Sequence, residues 1–86
     1  MASYEVRFRK SVSKDFDPIP RRDVQRIVAA IAALAANPRP PQARKLTGSG
    51  KYRRRCGAYR VLYEIQDDVL VVCVVKVGHR KDIYRD

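Results

Sequence analysis

Two short elements are predicted at the start of the chain. Apolar and polar residues alternate over residues 4–9, which is the pattern of a half-buried β-strand. Val12 and Phe16 then stand four residues apart, the spacing of one face of a short helix. Pro18 and Pro20 end that helix, because proline lacks a backbone N–H and its ring clashes with the preceding turn.

The clearest element is a helix over residues 21–36. Its apolar residues recur at the spacing of one helical face, and they are Val24, Ile27, Val28, Ile31, Leu34 and Ala35. Several alanines add intrinsic helix propensity. Asn37 and Pro38 end the helix, and residues 39–50 are predicted to form a basic loop.

Three strands are predicted in the second half of the chain, at Lys51–Cys56, Tyr59–Gln66 and residues 69–77. The connections between them are short enough to close hairpins, so the three strands are expected to form an antiparallel meander. The last strand is apolar almost throughout, which is typical of a central strand, and Gly78 is expected to end it.

The order of these elements predicts the fold class. A β-α-α-β-β-β chain is expected to form an α+β domain with a mostly antiparallel sheet and two helices packed on one face. The 86 residues are enough for one domain, spanning residues 1–86. A domain of this size buries only about 60–65% of its unfolded surface, so a tightly bound partner would add appreciably to its stability.

The charge of the chain indicates what kind of partner it binds. The chain has 19 Lys and Arg against 9 Asp and Glu, a net charge of +10. No acidic residue occurs between Val24 and Tyr63, and arginine, which makes forked contacts to phosphate, is the commoner cation. This distribution indicates a nucleic acid or an acidic protein as partner, with a merely solvated basic surface as the alternative.

Other classes of protein are not indicated. The longest apolar run, residues 69–75, is too short to span a membrane, and charges from Glu5 onward leave no signal peptide, so we expect a cytoplasmic location and no membrane partner. Cys56 and Cys73 are far apart, and the single His and the carboxylates are scattered. We therefore expect no disulfide, no metal site and no small-molecule cofactor.

The candidate chemistry is cleavage of RNA without a metal ion. The 2′-hydroxyl loses a proton as it attacks the adjacent phosphorus, cations stabilise the added negative charge, and the leaving 5′-oxygen gains a proton. Strand alternation puts Arg53 and Arg55 on one face, and the hairpin is expected to bring Arg60 beside one of them. Arg80 and Tyr84 are four residues apart just after the last strand and would share one side of a helical turn.

Each of these residues has an alternative interpretation. The run of arginines at residues 53–55 is equally compatible with a solvated edge that discourages aggregation of sheets. Arg60 would then pair with Glu64 or Asp68, and Tyr84 would simply pack its ring. His79 is a candidate general base because imidazole titrates near neutral pH, or it orients a neighbouring group.

Several segments of the chain resemble RelE-type toxins of the RelE/ParE superfamily. In chain order they are residues 4–8, 10–12, 14–16, the helix end at Asn37 and Pro38, and residues 45–48 and 52–55. The strongest matches are residues 57–65 and 77–84. Single segments are moderately specific, and together they are strong. The resemblance covers nearly the whole chain without a large gap. It implies a RelE-like fold and an enzyme that cleaves messenger RNA, typically in the ribosomal A site, leaving a 2′,3′-cyclic phosphate.

The resemblance also implies roles for individual residues. Arg60 would contact the scissile phosphate, Arg80 would support the developing charge or the leaving group, and Tyr84 would lie near the attacking 2′-hydroxyl. These three are the predicted catalytic residues. Predicted RNA-binding residues are Arg53, Arg55, Lys45, Lys51 and Lys81.

Arg53 and Arg55 stand where well-studied members of the family carry lysines. Arginine holds phosphate well but is a poor general base, because its guanidinium stays protonated. The proton acceptor is therefore open between Tyr84, His79 and a phosphate oxygen. Arg54 departs from the apolar residue usual in the family, so the inner face of its strand is expected to be open there, and no longer C-terminal helix is expected after Asp86.

The resemblance further implies partners: messenger RNA, the ribosome with its RNA, and a cognate acidic antitoxin. Two other functions are compatible with the sequence. One is that of the ParE-like branch, which acts on DNA gyrase but generally lacks the site represented by Arg60, Arg80 and Tyr84. The other is a non-catalytic protein that only binds RNA or an antitoxin.

Overall fold

The computed structural model describes residues 3–79 and Lys81. Over this part of the chain there are five strands and two helices. They are β1 (Glu5–Phe8), α1 (Val12–Asp15), α2 (Arg21–Ala33), β2 (Ala43–Lys45), β3 (Lys51–Cys56), β4 (Tyr59–Gln66) and β5 (Val71–His79). No helix in the described ranges is long and apolar enough to cross a membrane.

The strands form one sheet in the order β1-β5-β4-β3-β2. The strands β2 to β5 pair antiparallel with their neighbours, whereas β1 runs parallel to β5. Both predicted hairpins are present, and β5 is a central strand, as its apolar sequence predicts. The predicted α+β fold, with a mostly antiparallel sheet and two helices, is confirmed.

Three predicted segments differ from the structure: the loop after α2, the last strand and the second helix. The basic loop at residues 39–50 contains β2, which pairs with β3. The last strand begins at Val71, because Leu70 has a φ of 55° and closes the turn before it, and it continues through Gly78, which was expected to end it. The second helix ends at Ala33 rather than at residue 36.

The core lies between the helices and one face of the sheet, called here the helix face. Apolar side chains from both helices meet the sheet there, and the buried members are Val12, Ile19, Ile27, Ile31, Leu34, Val61, Tyr63, Val72, Val74 and Val77. Burying one such aliphatic side chain contributes about 1.5–3 kcal/mol. Val28 was predicted to belong to the apolar stripe of α2 but is 46% exposed, because it lies on the solvent side.

The opposite face of the sheet, called here the outer face, has a much smaller apolar cluster. Leu62 and Val75 are buried there against Leu46 and Cys73. Tyr52, Val61 and Tyr63 pack in the core of the helix face. Since side chains alternate along a strand, the residues between them on β3 and β4 point to the outer face.

A β-bulge in β5 determines which residues of this strand reach the core. Leu62 of β4 lies opposite Lys76 while Tyr63 lies opposite Val74, so β5 has one extra residue at this point. Strict alternation would place Val74 and Val77 on opposite faces, yet both are buried in the same core. The bulge therefore resets the alternation and brings Gly78 opposite Arg60.

Helix α1 holds this end of β5 in place. The Asp15 carboxylate accepts a hydrogen bond from the backbone N–H of Val77 at 3.0 Å. The pairing of β1 with β5 extends only to Val74, so a side chain from α1 provides an acceptor beyond the end of β1. The segment that leads to Gly78 is thereby fixed against the helix layer.

Candidate active site

Arg60 lies on the outer face of the central strand β4, close to the start of that strand. It is half-buried on β4, with Arg55 of β3 directly opposite on one side and Gly78 of β5 on the other. The prediction that the hairpin brings Arg60 beside Arg55 or Arg53 is confirmed, with Arg55 as the neighbour. Because Gly78 has no side chain, none stands opposite Arg60 on the β5 side.

Two further arginines extend this group toward the edge of the sheet. Arg53 lies two residues before Arg55 on the same face, and Arg44 of β2 lies directly opposite Arg53. We call these four residues, Arg44, Arg53, Arg55 and Arg60, the arginine patch. Strand β3 is interior, between β2 and β4, so the interpretation of its arginines as a protective sheet edge was wrong.

The arginine patch places like charges opposite each other. Arg44 faces Arg53, and Arg55 faces Arg60, in register on adjacent strands. Like charges at such positions destabilise an antiparallel pair. Within residues 3–79 and Lys81, no carboxylate forms an ion pair with Arg44, Arg53 or Arg55. The arrangement has the electrostatics of an anion-binding surface.

The predicted RNA-binding lysines do not all lie with the arginine patch. Lys51 is on the outer face, opposite Glu64 of β4. Lys45 lies opposite Tyr52 and therefore belongs to the helix face, away from the patch. Lys81 is exposed just beyond β5.

His79 also points away from the arginine patch. It lies opposite Tyr59, whose ring packs against the core of the helix face, and the two rings meet edge to face at 5.6 Å. Its Nδ1 accepts a hydrogen bond from the backbone N–H of Lys81 at 3.2 Å. Of its two predicted roles, this geometry favours orientation of the following segment over general-base catalysis beside Arg60.

The remaining predicted catalytic residues, Arg80 and Tyr84, lie outside the described residues and stay predictions. The observed register does fix where the chain leaves β5. Gly78 is directly opposite Arg60, so Arg80 follows two residues after the point of contact between β5 and Arg60.

Arg54, which departs from the family pattern, points to the helix face. It is half-buried, opposite Val61, and its Nη1 donates a hydrogen bond to the carbonyl of Arg55 at 2.6 Å. The guanidinium thus satisfies part of its hydrogen-bonding capacity locally. The half-buried side chain of Arg54 therefore lies at the position where an opening was expected.

A second polar group, which was not predicted from the sequence, lies at the other end of the sheet. Arg39 donates hydrogen bonds to both carboxylate oxygens of Asp67, at 3.3 and 2.8 Å, and its Nε donates to the Tyr52 hydroxyl at 3.0 Å. The hydroxyl of Tyr4 donates to Asp67 at 2.6 Å. We call these four residues the Arg39 cluster.

The pKa values of Asp67, in the Arg39 cluster, and of Tyr63, beside it, are both shifted. Hydrogen bonds from Arg39 and then Tyr4 lower the pKa of Asp67 to about 2. Burial raises the pKa of Tyr63 to about 12, and its hydroxyl donates a hydrogen bond to the Pro38 carbonyl at 2.6 Å. The rings of Tyr63 and Tyr52 stack at 5.7 Å, which connects this buried tyrosine to the Arg39 cluster.

The Arg39 cluster has a structural role. It joins the residue before β1, the segment after α2, β3 and the turn after β4. No local pattern reveals it, because Arg39 and Asp67 are 28 residues apart and Tyr4 and Asp67 are 63 apart. Asp67 lies roughly 20 Å along β4 from Arg60, at about 3.3 Å per residue.

The chain matches the sequences of known toxins over nearly its whole length. Residues 6–84 match the sequence family described as ParE toxin of type II toxin-antitoxin system, parDE. The protein named Toxin RelG from Mycobacterium tuberculosis is 37% identical over 86 residues, covering 95% of this chain and 97% of that protein.

Solved structures agree with the sequence matches. The toxin–antitoxin complex RelBE2 of Mycobacterium tuberculosis contains a chain with a TM-score of 0.80 and 30% identity, over 92% of this chain and 100% of that one. The archaeal RelE–RelB complex from Pyrococcus horikoshii OT3 gives a TM-score of 0.81 and 30% identity, over 91% and 96%. With its sheet, its helices and its sequence all matched over nearly their full length, this chain belongs to the RelE/ParE family of type II toxin–antitoxin toxins.

Proposed function

We propose that this toxin is an endoribonuclease that cleaves messenger RNA in the ribosomal A site without a metal ion. The observation that carries the proposal is the position of Arg60, flanked by Arg55 and Gly78 on the face of the sheet opposite α1 and α2. A phosphate at Arg60 would meet fixed cations rather than water, which is the main requirement for stabilising a phosphorane-like transition state.

The proposed reaction is an internal transfer of the phosphodiester. The 2′-oxygen forms a bond to the adjacent phosphorus while the bond from phosphorus to the 5′-oxygen breaks. The 2′-hydroxyl proton passes to a base, and the 5′-oxygen receives a proton as it leaves. The products are a 2′,3′-cyclic phosphate and a 5′-hydroxyl.

The residues divide these tasks. Arg60 binds the non-bridging oxygens of the scissile phosphate, and Arg55 adds a second cation directly opposite. Arg80 supports the leaving oxygen and Tyr84 lies near the 2′-hydroxyl, as the family resemblance implies. With His79 directed to the helix face, Tyr84 or a phosphate oxygen is the proposed proton acceptor.

The proposed dependence on the ribosome follows from the composition of the site. The proposed site consists of arginines and one tyrosine, which bind phosphate but leave the 2′-hydroxyl to be aligned with the scissile bond by other groups. Catalysis by orientation requires the reacting atoms to be held in line, and the ribosome with its RNA would hold them. Cleavage of free RNA is therefore expected to be weak.

The proposed regulator is a cognate acidic antitoxin. Two similar solved proteins are toxins in complex with an antitoxin, RelBE2 and RelE–RelB. The net charge of +10 and the arginine patch suit an acidic partner that covers the outer face. A purified complex is expected to cut ribosome-bound message far more slowly than free toxin, and equal rates would contradict this regulation.

Inhibition of DNA gyrase is the second candidate, because the matched sequence family carries the ParE description. Similarity to Toxin RelG and to the toxin chains of RelE–RelB complexes favours the ribonuclease. The third candidate, a protein that only binds RNA or antitoxin, would have the same charge pattern without cleavage.

Primer extension on messenger RNA in a translating extract separates these functions. The wild type is compared with Arg60→Ala, Arg80→Ala and the surface control Arg22→Ala on α2. Cuts within the A-site codon that disappear in the two site variants, and when ribosomes are omitted, would support the nuclease. Intact message with growth arrest would indicate gyrase as the target, and intact message without arrest a binding-only protein.

A further inference from the structure

The arginine patch includes a depression beside Arg60, and of the residues that line it only Arg55 has a part in the proposed reaction. It has a volume of about 420 Å³ and is lined by Arg44, Arg53, Arg55, Pro41, Gln42 and Gly57. Three of its six lining residues are therefore arginines from β2 and β3. Arg44 enters this group only because residues 43–45 form a strand, which places it opposite Arg53.

The electrostatics of the depression are unfavourable when it holds only water. Arg44 and Arg53 lie in register on adjacent strands, so their charges repel across the pair. No described carboxylate forms an ion pair with either of them. A bound anion would remove this repulsion and so stabilise the folded protein.

We propose that the depression formed by Arg44, Arg53 and Arg55 is a second phosphate site, which holds a neighbouring phosphodiester of the RNA strand that is cut at Arg60. The inference rests on the proposed function and extends it to the path of the substrate. Arg44 is then a substrate-binding residue.

The order of the strands in the sheet indicates the path of the RNA strand across the outer face. Arg60 is on β4, Arg53 and Arg55 on β3 and Arg44 on β2. Adjacent strands are about 4.8 Å apart, so the patch extends roughly 10 Å across the sheet from Arg60 to Arg44. Its arginines face the same side throughout. A strand of RNA would therefore cross β4, β3 and β2 in turn, with the scissile phosphate at Arg60.

The lining favours RNA over an acidic peptide as occupant. The depression is lined by three guanidinium groups and by the amide of Gln42. Among the described residues that line it, Pro41 alone has a wholly apolar side chain. Peptide segments gain most of their affinity from large apolar or aromatic anchors in pockets. A phosphodiester requires only charge and donors, which this depression has.

The test measures binding rather than cleavage. A single-stranded RNA with 2′-O-methyl groups, which cannot be cut by this mechanism, is titrated by fluorescence anisotropy over a range of salt concentrations. Losing one phosphate contact to single-stranded RNA lowers the slope of log affinity against log salt by about 0.7. We expect that change for Arg44→Gln, together with a several-fold loss of affinity.

Arg22→Gln is the matched control. It removes the same charge from an exposed position on α2, in the layer that covers the helix face, so its slope should stay close to that of the wild type. Thermal unfolding at low salt gives an independent measurement. Without RNA, Arg44→Gln should melt slightly higher than the wild type because the repulsion with Arg53 is gone, which also shows that the variant folds.

The outcomes separate this inference from the proposed function. If Arg44→Gln keeps the wild-type slope and affinity while Arg60→Ala still abolishes A-site cleavage, the second phosphate site is wrong and the nuclease stands. If Arg44→Gln binds RNA normally but loses affinity for an acidic antitoxin peptide, the depression is a peptide site and the inference is overturned. If the wild-type toxin leaves ribosome-bound message intact in the primer-extension assay, the proposed function itself fails.

Discussion

Arginines occur in two contrasting settings in this molecule. Arg39 donates hydrogen bonds to both oxygens of Asp67 and to the Tyr52 hydroxyl, and its guanidinium lies 5.4 Å from the centroid of the Tyr52 ring. Arg44, Arg53 and Arg55 form no ion pair with any described carboxylate and lie opposite other arginines. The same side chain therefore joins parts of the fold in one place and collects positive charge in the other.

The difference shows how to separate structural from functional charges in a very basic protein. The Arg39 cluster is satisfied internally, so its loss should affect stability and leave RNA cleavage intact. The arginine patch raises the electrostatic free energy of the folded protein. Replacing its arginines should therefore weaken the binding and cleavage of RNA and leave the free energy of unfolding unchanged or higher. Four predictions test this contrast, beginning with the largest expected effect.

Arg60→Ala should reduce A-site cleavage by about 10²–10³-fold, the loss typical when one preorganised group that stabilises transition-state charge is removed. Time courses of primer extension in a translating extract measure the effect. Urea unfolding should give a free energy close to that of the wild type. A folded variant that cleaves normally would remove Arg60 from the proposed mechanism.

Tyr63→Phe should lower the free energy of unfolding by about 1–2 kcal/mol, because the hydroxyl that donates to the Pro38 carbonyl is lost in a buried setting. Cleavage by the folded variant should match the wild type. Tyr59→Phe, at a half-buried position on the same strand, is the control and should have a smaller effect on stability. Equal losses would mean that the hydrogen bond to Pro38 contributes little.

Asp67→Asn should abolish part of the acid sensitivity of the fold. The pKa of Asp67 is about 2 in the folded protein against an ordinary value of 3.8. Because the folded pKa is the lower one, the carboxylate contributes its full stability above about pH 4 and loses it as the pH falls toward about 2. Urea unfolding of the wild type and the variant over this range should show the two curves converging at low pH.

Asp68→Asn serves as the control for that experiment, since Asp68 is adjacent and exposed and forms no ion pair within the described residues. Its curve should run parallel to that of the wild type. Convergence for both variants would mean that the acid sensitivity comes from overall charge rather than from the Arg39 cluster.

Arg55→Gln should have the smallest effect of the four, and it should stabilise the protein rather than destabilise it. Removing one member of the like-charge pair with Arg60 should raise the free energy of unfolding by a few tenths of a kcal/mol at low salt. The gain should shrink as salt screens the repulsion. Arg39→Gln, measured in the same series, should instead lose stability, and a loss in both variants would contradict the contrast between the two settings.

Local patterns determined much of this structure before any contact was known. The four-residue spacing of Ile27 and Ile31 predicts α2, and the alternation from Tyr59 onward predicts which face of β4 is buried. The short hairpin connection places Arg60 beside the arginines of β3. These features depend on residues close together in sequence, where the periods of helix and strand act directly.

Other features depend on residues that are distant in sequence, and only the tertiary structure decided them. Strand β2 exists because residues 43–45 find β3 as a partner, and this pairing turns Arg44 to the outer face. The bulge in β5 and the pairing of Tyr59 with His79 turn His79 to the helix face. The sequence alone had made His79 a candidate general base. The hydrogen bonds of Asp67 to Arg39 and Tyr4 have no local signal either.

The sequence by itself thus determined the elements, the family resemblance and the presence of a concentrated positive charge. The tertiary structure decided which of those charges are satisfied by neighbours and which lie together on the outer face. The physical reason is that secondary structure follows from short-range periodicity, whereas the environment of a charge depends on the strands that happen to lie beside it.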